Sequence, residues 1–216
     1  MAKNRGLNVG QVILSVAFFL GSTLPAFGQV TPQEYEKLQI LLKEPDGKEA
    51  YERRLKILAD AYDRFADPTK RLSSGYGVTA VFLRIPPEVA VPFYLKYTHH
   101  PVQYLRISAL RDLSDFGTKA KEASPHIRQL IDDRASNVSE HAMKTIARID
   151  PTNREVVQTI LKRLETGPAN DSWQRSALMA LVEMADTVPK SAVPMLIPFL
   201  EHRWVETQTS AFELVG

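Results

Sequence analysis

The chain repeats itself, and this limits its fold more than any other feature. AVPFYLKYTHH at 90–100 and AVPMLIPFLEH at 192–202 share A-V-P in front and a histidine at the same offset. Between them the A-x-P signature recurs as Ala123-Ser124-Pro125 and, degenerate, as Val156-Val157-Gln158, so that Ala192-Val193-Pro194 completes four copies. A second pattern alternates with it: LRISALRDLSDFG at 105–117, VSEHAMKTIARID at 138–150, WQRSALMALVEMA at 173–185 and TQTSAFELVG at 207–216. Aligned, these place Ala109, Ala142, Ala177 and Ala211 in one column. Leu110, Met143, Leu178 and Phe212 form the next column, and Leu113, Ile146, Leu181 and Val215 a third.

A period of 33 to 35 residues is one two-helix unit that buries its apolar face only by stacking on its neighbours. The expected fold is therefore all-α: a right-handed α-solenoid of stacked two-helix repeats over 88–216, the last one incomplete, preceded by a helical hairpin. Alanine recurs where helices of successive repeats cross, because a larger side chain would overpack the contact. The proline column is expected to open the second helix of each unit, where a missing N–H costs nothing. Pro198, four residues after Pro194, should kink that helix or delay its start. At 207–216 the pattern stops within a first helix, so the stripe of Ala211, Phe212 and Val215 calls for a longer natural chain or another cover.

Ahead of the repeats, Thr31 with Glu34 forms a capping box and Pro32 suits a first turn, which predicts a helix over about 32–44. Tyr51, Leu55, Leu58, Tyr62 and Phe65 then recur at the spacing of one buried helix face, so 29–68 reads as a helical hairpin. Residues 69–87 connect it to the repeats. Within them SSGYG at 73–77 is a loop composition, and VTAVFLRI at 78–85 is read as a short buried helix because no second strand candidate exists to pair with it.

The consensus of hydrophobic–Arg–x–x–Ala–Leu–x–x–Leu followed by A-x-P resembles the short HEAT-like repeats of bacteria, the group that includes the repeats first noted in phycobilisome lyases. Leu105-Arg106, Ala109-Leu110, Gly117 and Asp133 fit it, whereas Ser139 and Gln174 stand where it has arginine. The tetratricopeptide repeat has a similar length, but its proline closes the second helix. The resemblance implies an interaction solenoid binding through its concave face. Its alternatives are a lyase-like, chromophore-handling enzyme or a structural domain of a larger exported protein.

Residues 1–28 read as a secretory signal peptide: Lys3 and Arg5 lead, VILSVAFFL follows, and Ala26-Phe27-Gly28 places small residues before a cut at Gln29. An uncleaved anchor is the competing reading. Without cysteine, a lipoprotein anchor, a disulfide framework and thiolate chemistry are excluded. Lys3 and Arg5 are two of 27 basic residues, so the mature chain carries 25 basic and 25 acidic side chains. Such a balance argues against a nucleic-acid binder and against a membrane-surface protein. The expected location is secreted or periplasmic.

His99, His100, His126, His141 and His202 form no metal-ligand spacing, and neither a nucleophile elbow nor a P-loop occurs. No catalytic residue, metal or cofactor is expected. Asn137-Val138-Ser139 and Asn170-Asp171-Ser172 are formal glycosylation sequons. With Ala90/Tyr94, Ala123/Ile127, Val156/Ile160 and Ala192/Leu196 as the buried ridge, two ladders should face away from the core. One runs Phe93, His126, Thr159, Met195 and the other Lys96, Gln129, Lys162, Pro198. Large apolar groups flanked by lysines have the composition of an interface. Phe93, Lys96, His126, Gln129, Lys162 and Met195 are thus candidate contacts for an acidic or amphipathic protein segment. Intact-mass measurement of the exported protein should give a chain beginning at Gln29; material retaining residues 1–28 would favour the anchor.

Overall fold

The computed structural model describes residues 29–67, 76–77, 79–80, 83–166 and 170–216. Residues 1–28, expected from sequence to be a signal peptide, lie outside the described residues. Gln29–Val30 (β1) pairs antiparallel with Tyr76–Gly77 (β2), and all other regular structure among the described residues is helical.

The hairpin consists of Pro32–Leu41 (α1) and Lys48–Ala66 (α2). Thr31 Oγ1 accepts the Glu34 amide at 3.2 Å while the Thr31 amide donates to Glu34 Oε2 at 2.7 Å, closing the capping box. At the other end of α1, Arg54 is fully buried. Its guanidinium donates to the Leu41 and Glu44 carbonyls and pairs with Asp46 at 2.7 Å. It thereby satisfies acceptors that a helix end leaves open.

The repeats follow as four units. Pro87–Tyr97 (α3) is followed by Gln103–Ser114 (α4). The second unit opens with 3₁₀ turns around Ser124–Gln129 (α5) and continues as Ser136–Ile149 (α6). Arg154–Thr166 (α7) and Asp171–Glu183 (α8) form the third. In the fourth, Val193–Leu196 (α9) lies between 3₁₀ turns and precedes Val205–Val215 (α10). Helices α4, α6, α8 and α10 stack in sequence as one row, each against the next, with the A-x-P segments alongside. This is an α-solenoid of stacked two-helix units.

The alanine column lies at the centre of the stacked row: Ala109, Ala142, Ala177 and Ala211 are each 0% exposed. Leu110, Met143 and Leu178 are fully buried beside them, but Phe212, the last member of that column, is 71% exposed. The ridge residues Ala90/Tyr94, Ala123/Ile127, Val156/Ile160 and Ala192/Leu196 are all buried.

The recurring histidine is a turn cap. His100 Nδ1 accepts the Val102 amide at 3.1 Å, and His202 Nδ1 accepts the Trp204 amide at 3.2 Å. Asp133 and Asn170 do the same before α6 and α8, accepting the Ala135 and Ser172 amides at 2.9 and 3.0 Å. Each turn into the stacked row therefore has an acceptor two residues ahead of the amide it satisfies. Arg106 joins consecutive turns, donating to the His100 and Pro101 carbonyls and to Asp133 at 2.9 Å. Where the next copy has serine, Ser139 bonds the Ile131 carbonyl and accepts the Trp173 indole N–H at 2.8 Å, so a different pair ties those units.

Three expectations need correction. The described part of 78–85 is a turn, held by Leu83 N to Thr79 O at 3.0 Å and Ile85 N to Ala80 O at 2.9 Å, and not a helix. Tyr76–Gly77, within the stretch read as a loop, pairs as a short strand with Gln29–Val30. Pro92 sits inside α3 rather than at its start, because Pro86 and Pro87 begin that helix earlier; Pro92 faces solvent. Pro125 and Pro194 do fall in first turns, and at Pro198 the α-helix has given way to a 3₁₀ turn.

Ala142→Arg adds volume and an unpaired charge at a crossing and should cost about 3 kcal/mol or more. A fall in Tm of roughly 6–12 °C corresponds to that. His141 is half-buried and sits to one side of the crossing, so His141→Ala should change Tm little. Equal melting temperatures would refute the register.

Candidate functional site

Where the hairpin meets the first repeat, α2 and α3 leave a groove of about 530 Å³. Leu55 and Ala59 from α2 and Phe93 and Tyr97 from α3 make its apolar floor. Its rim carries Lys56, Lys96 and His100, with one carboxylate, Glu52. The spacing explains the arrangement: positions 52, 56 and 59, like 93, 96 and 97, fall on single helix faces, and His100 joins them from the turn after α3.

Beneath the floor is an aromatic cluster. Phe93 meets Tyr62 edge-on at 5.6 Å between centroids, Tyr97 at 5.0 Å and Tyr94 at 5.3 Å. The Tyr62 and Tyr94 hydroxyls turn towards Asp112 of α4, a buried carboxyl group, whereas the Tyr97 hydroxyl donates to Asp63 at 3.1 Å. Tyr62 donates to Asp112 Oδ2 at 2.5 Å, and the Tyr94 phenol faces the same carboxyl group. The Tyr94 hydroxyl accepts the Ala80 amide at 2.8 Å. Asp112 thus ties the hairpin to the first repeat, and Tyr94 ties the connecting segment to it. Burial raises the Asp112 carboxyl to about 7, against the lowering effect of its tyrosine hydrogen bonds. Burial likewise pushes Tyr62 and Tyr94 well above the ordinary phenol range, with Asp112 adding to it.

The sequence-derived ladder residues are scattered. Phe93 is 7% exposed, so it does not point away from the core as expected. The aromatic faces of the hairpin, absent from a repeat-only alignment, cover it. It nevertheless floors the groove, with exposed Lys96 beside it. His126, Gln129, Lys162 and Pro198 are exposed on other units. Thr159 is half-buried and donates to the Glu155 carbonyl at 2.8 Å, while Met195 packs partly against the core. Among the described residues no group of three His, Asp or Glu side chains is placed to hold a metal ion. His141 is lowered to about 4, by burial first and then by Lys144 and Arg111, and so is neutral at physiological pH. The sequon serine Ser139 is buried, and Asn170 is engaged as a helix cap. Asp112 was missed by sequence reasoning. Its signal was a carboxylate three residues after Ala109, where the other copies have Thr145, Ala180 and Leu214.

No family profile matches the chain, and no curated protein matches it. Two crystal structures of engineered proteins are similar at 18% identity and a TM-score of 0.47 each. One match spans 84% of this chain and 77% of its own, the other 95% and 57%. A third solved structure, from work on TOG–tubulin binding specificity, matches at 13% identity and a TM-score of 0.37, over 95% of this chain and 84% of its own.

Asp112 also sets a pH dependence. A carboxyl held near 7 in the fold and near its usual 3.8 when unfolded keeps an extra proton in the native state between those values. Its contribution to stability is complete at acid pH and declines as pH rises towards 7, by at most ~1.4 kcal/mol per unit. Asp112→Asn keeps an acceptor for Tyr62 and removes the titration. Denaturant titrations from pH 5 to 6.5 should therefore show the wild type losing stability relative to Asp112→Asn, and parallel profiles would contradict the assignment.

Proposed function

We propose that this chain is a non-enzymatic protein-interaction module, an exported HEAT-like solenoid that docks an acidic amphipathic protein segment in the groove between α2 and α3. The observation that carries the reading is the pairing of an apolar floor with a predominantly basic rim at one junction. A partner helix gains area from Leu55, Ala59 and Tyr97, and its carboxylates meet Lys56 and Lys96 at the edge, where exposed charges select the partner more than they add affinity. Export follows from the leader pattern of residues 1–28, and the even charge balance of the mature chain points to protein rather than nucleic acid or membrane as partner. The short HEAT-like repeats of the phycobilisome-lyase group are the sequence class whose pattern it shares.

Photo-cross-linking tests this directly. A benzophenone side chain at Lys96 should capture a polypeptide under conditions where the same group at Lys162, exposed two units away, does not. Equal capture at both positions would move the site off the groove.

A further inference from the structure

The two walls of the groove meet over a carboxyl group. Tyr62 of α2 covers Asp112 from the hairpin and donates to it at 2.5 Å, and Tyr94 of α3 covers it from the first repeat. Asp112 is 3% exposed, so an anion there is cut off from the water that would stabilise it. The same Tyr62 ring lies 4.6 Å from Tyr97 and 5.6 Å from Phe93 between centroids, and these are the two α3 residues in the groove floor. The seat of Tyr62 on the carboxyl thus also sets the spacing of the groove's walls. Of the charged groups around Asp112, Asp115 opposes its ionisation and Arg111 favours it, both from α4. Lys121 of the following 3₁₀ turn is paired with Asp150, and Arg148 of α6 acts on Asp115. At the surface the bond from Tyr97 to Asp63 is an exposed second tie across the joint.

We propose that Asp112 is a proton-operated latch on the groove: protonated, it holds the hairpin against the first repeat with the groove formed, and on ionisation α2 moves off α3 and the groove is lost. This rests on the reading of the groove as a docking site. Burial outweighs the tyrosine hydrogen bond and raises the docked carboxyl to about 7, whereas a carboxyl reached by water returns to its usual 3.8. Docking of the hairpin is therefore strongest in acid, weakens across that interval by about tenfold per pH unit at most, and is weakest above 7. The repeats are joined to one another at the alanine crossings and not through Asp112, so they stay stacked when the hairpin leaves.

The chain has no cysteine, so Lys56→Cys with Lys96→Cys places two nitroxide labels on opposite walls of the groove, both at exposed positions. Double electron–electron resonance should give a narrow distance distribution at pH 5 and a longer, broader one at pH 8, with helical circular dichroism unchanged. Asp112→Asn should keep it narrow at both. A distribution that stays narrow at pH 8, one that broadens equally in Asp112→Asn, or loss of the helical signal overturns the latch. Should Asp112→Asn fail to fold, carbon-13 NMR of labelled aspartates decides: one carboxyl must titrate at the pH where the labels part, and none doing so overturns the proposal. Photo-capture from Lys96 separates the latch from the docking reading. Capture that is high at pH 5.5 and low at pH 8, but level in Asp112→Asn, supports the latch. His100 on the rim can also gain a proton, and a pH effect that survives in Asp112→Asn overturns gating by Asp112. Labels that part while capture stays level overturn control of the partner. Absence of capture at either pH overturns docking in the groove and leaves the label result for the hairpin standing.

Discussion

No two-helix unit here can close a core by itself, and the rest of the structure follows from where units touch. The contact is set by alanine side chains at 109, 142, 177 and 211, all without exposure, which allow neighbouring helices to approach closely enough for Leu110, Met143 and Leu178 to be sealed between them. Polar groups then fix the register of that row. Thr145 donates to the Leu110 carbonyl at 2.9 Å, the Trp173 indole to Ser139, and Ser172 to Glu140 at 2.9 Å. Each bond joins one unit to the next, so buried polar atoms are satisfied only when the stack is in step.

The hairpin is joined to this row by different chemistry. Its docking involves a carboxyl group that burial raises to about 7 and that accepts the Tyr62 hydroxyl beside the Tyr94 phenol. That junction is less apolar than the alanine crossings, and it is where the groove opens. The same aromatic residues that bind the hairpin to the repeats thus form the floor of the candidate site, Phe93 and Tyr97 on one helix and Tyr62 beneath.

Much of the stack could be read from sequence because its constraint is periodic. The alanine column, the ridge of Ala90/Tyr94 and its equivalents, and the capping box at Thr31 all rest on spacing, and spacing is visible in a single chain. Phe93 was misread as exposed because its cover comes from the hairpin, whose docking angle no repeat column encodes. The groove was half legible: Phe93 and Lys96 were singled out, but Lys56, Ala59 and His100 join them only through the packing of α2 on α3. Asp112 was hidden because its two phenol partners lie 50 residues upstream and 18 residues upstream, at Tyr62 and Tyr94. Pro92 was displaced from its expected place by the stronger start signal of Pro86-Pro87.

The two rows of the solenoid differ mechanically. Helices α4, α6, α8 and α10 are continuous over 11 to 14 residues, whereas the second and fourth units of the other row are short α-helical pieces interrupted by 3₁₀ turns. A 3₁₀ turn has poorer hydrogen-bond geometry and yields more readily. A change of curvature is therefore expected to be taken up on the side of the interrupted second and fourth units, while the continuous row keeps its length. The bending is then located in the segments that carry Pro125, Pro194 and Pro198.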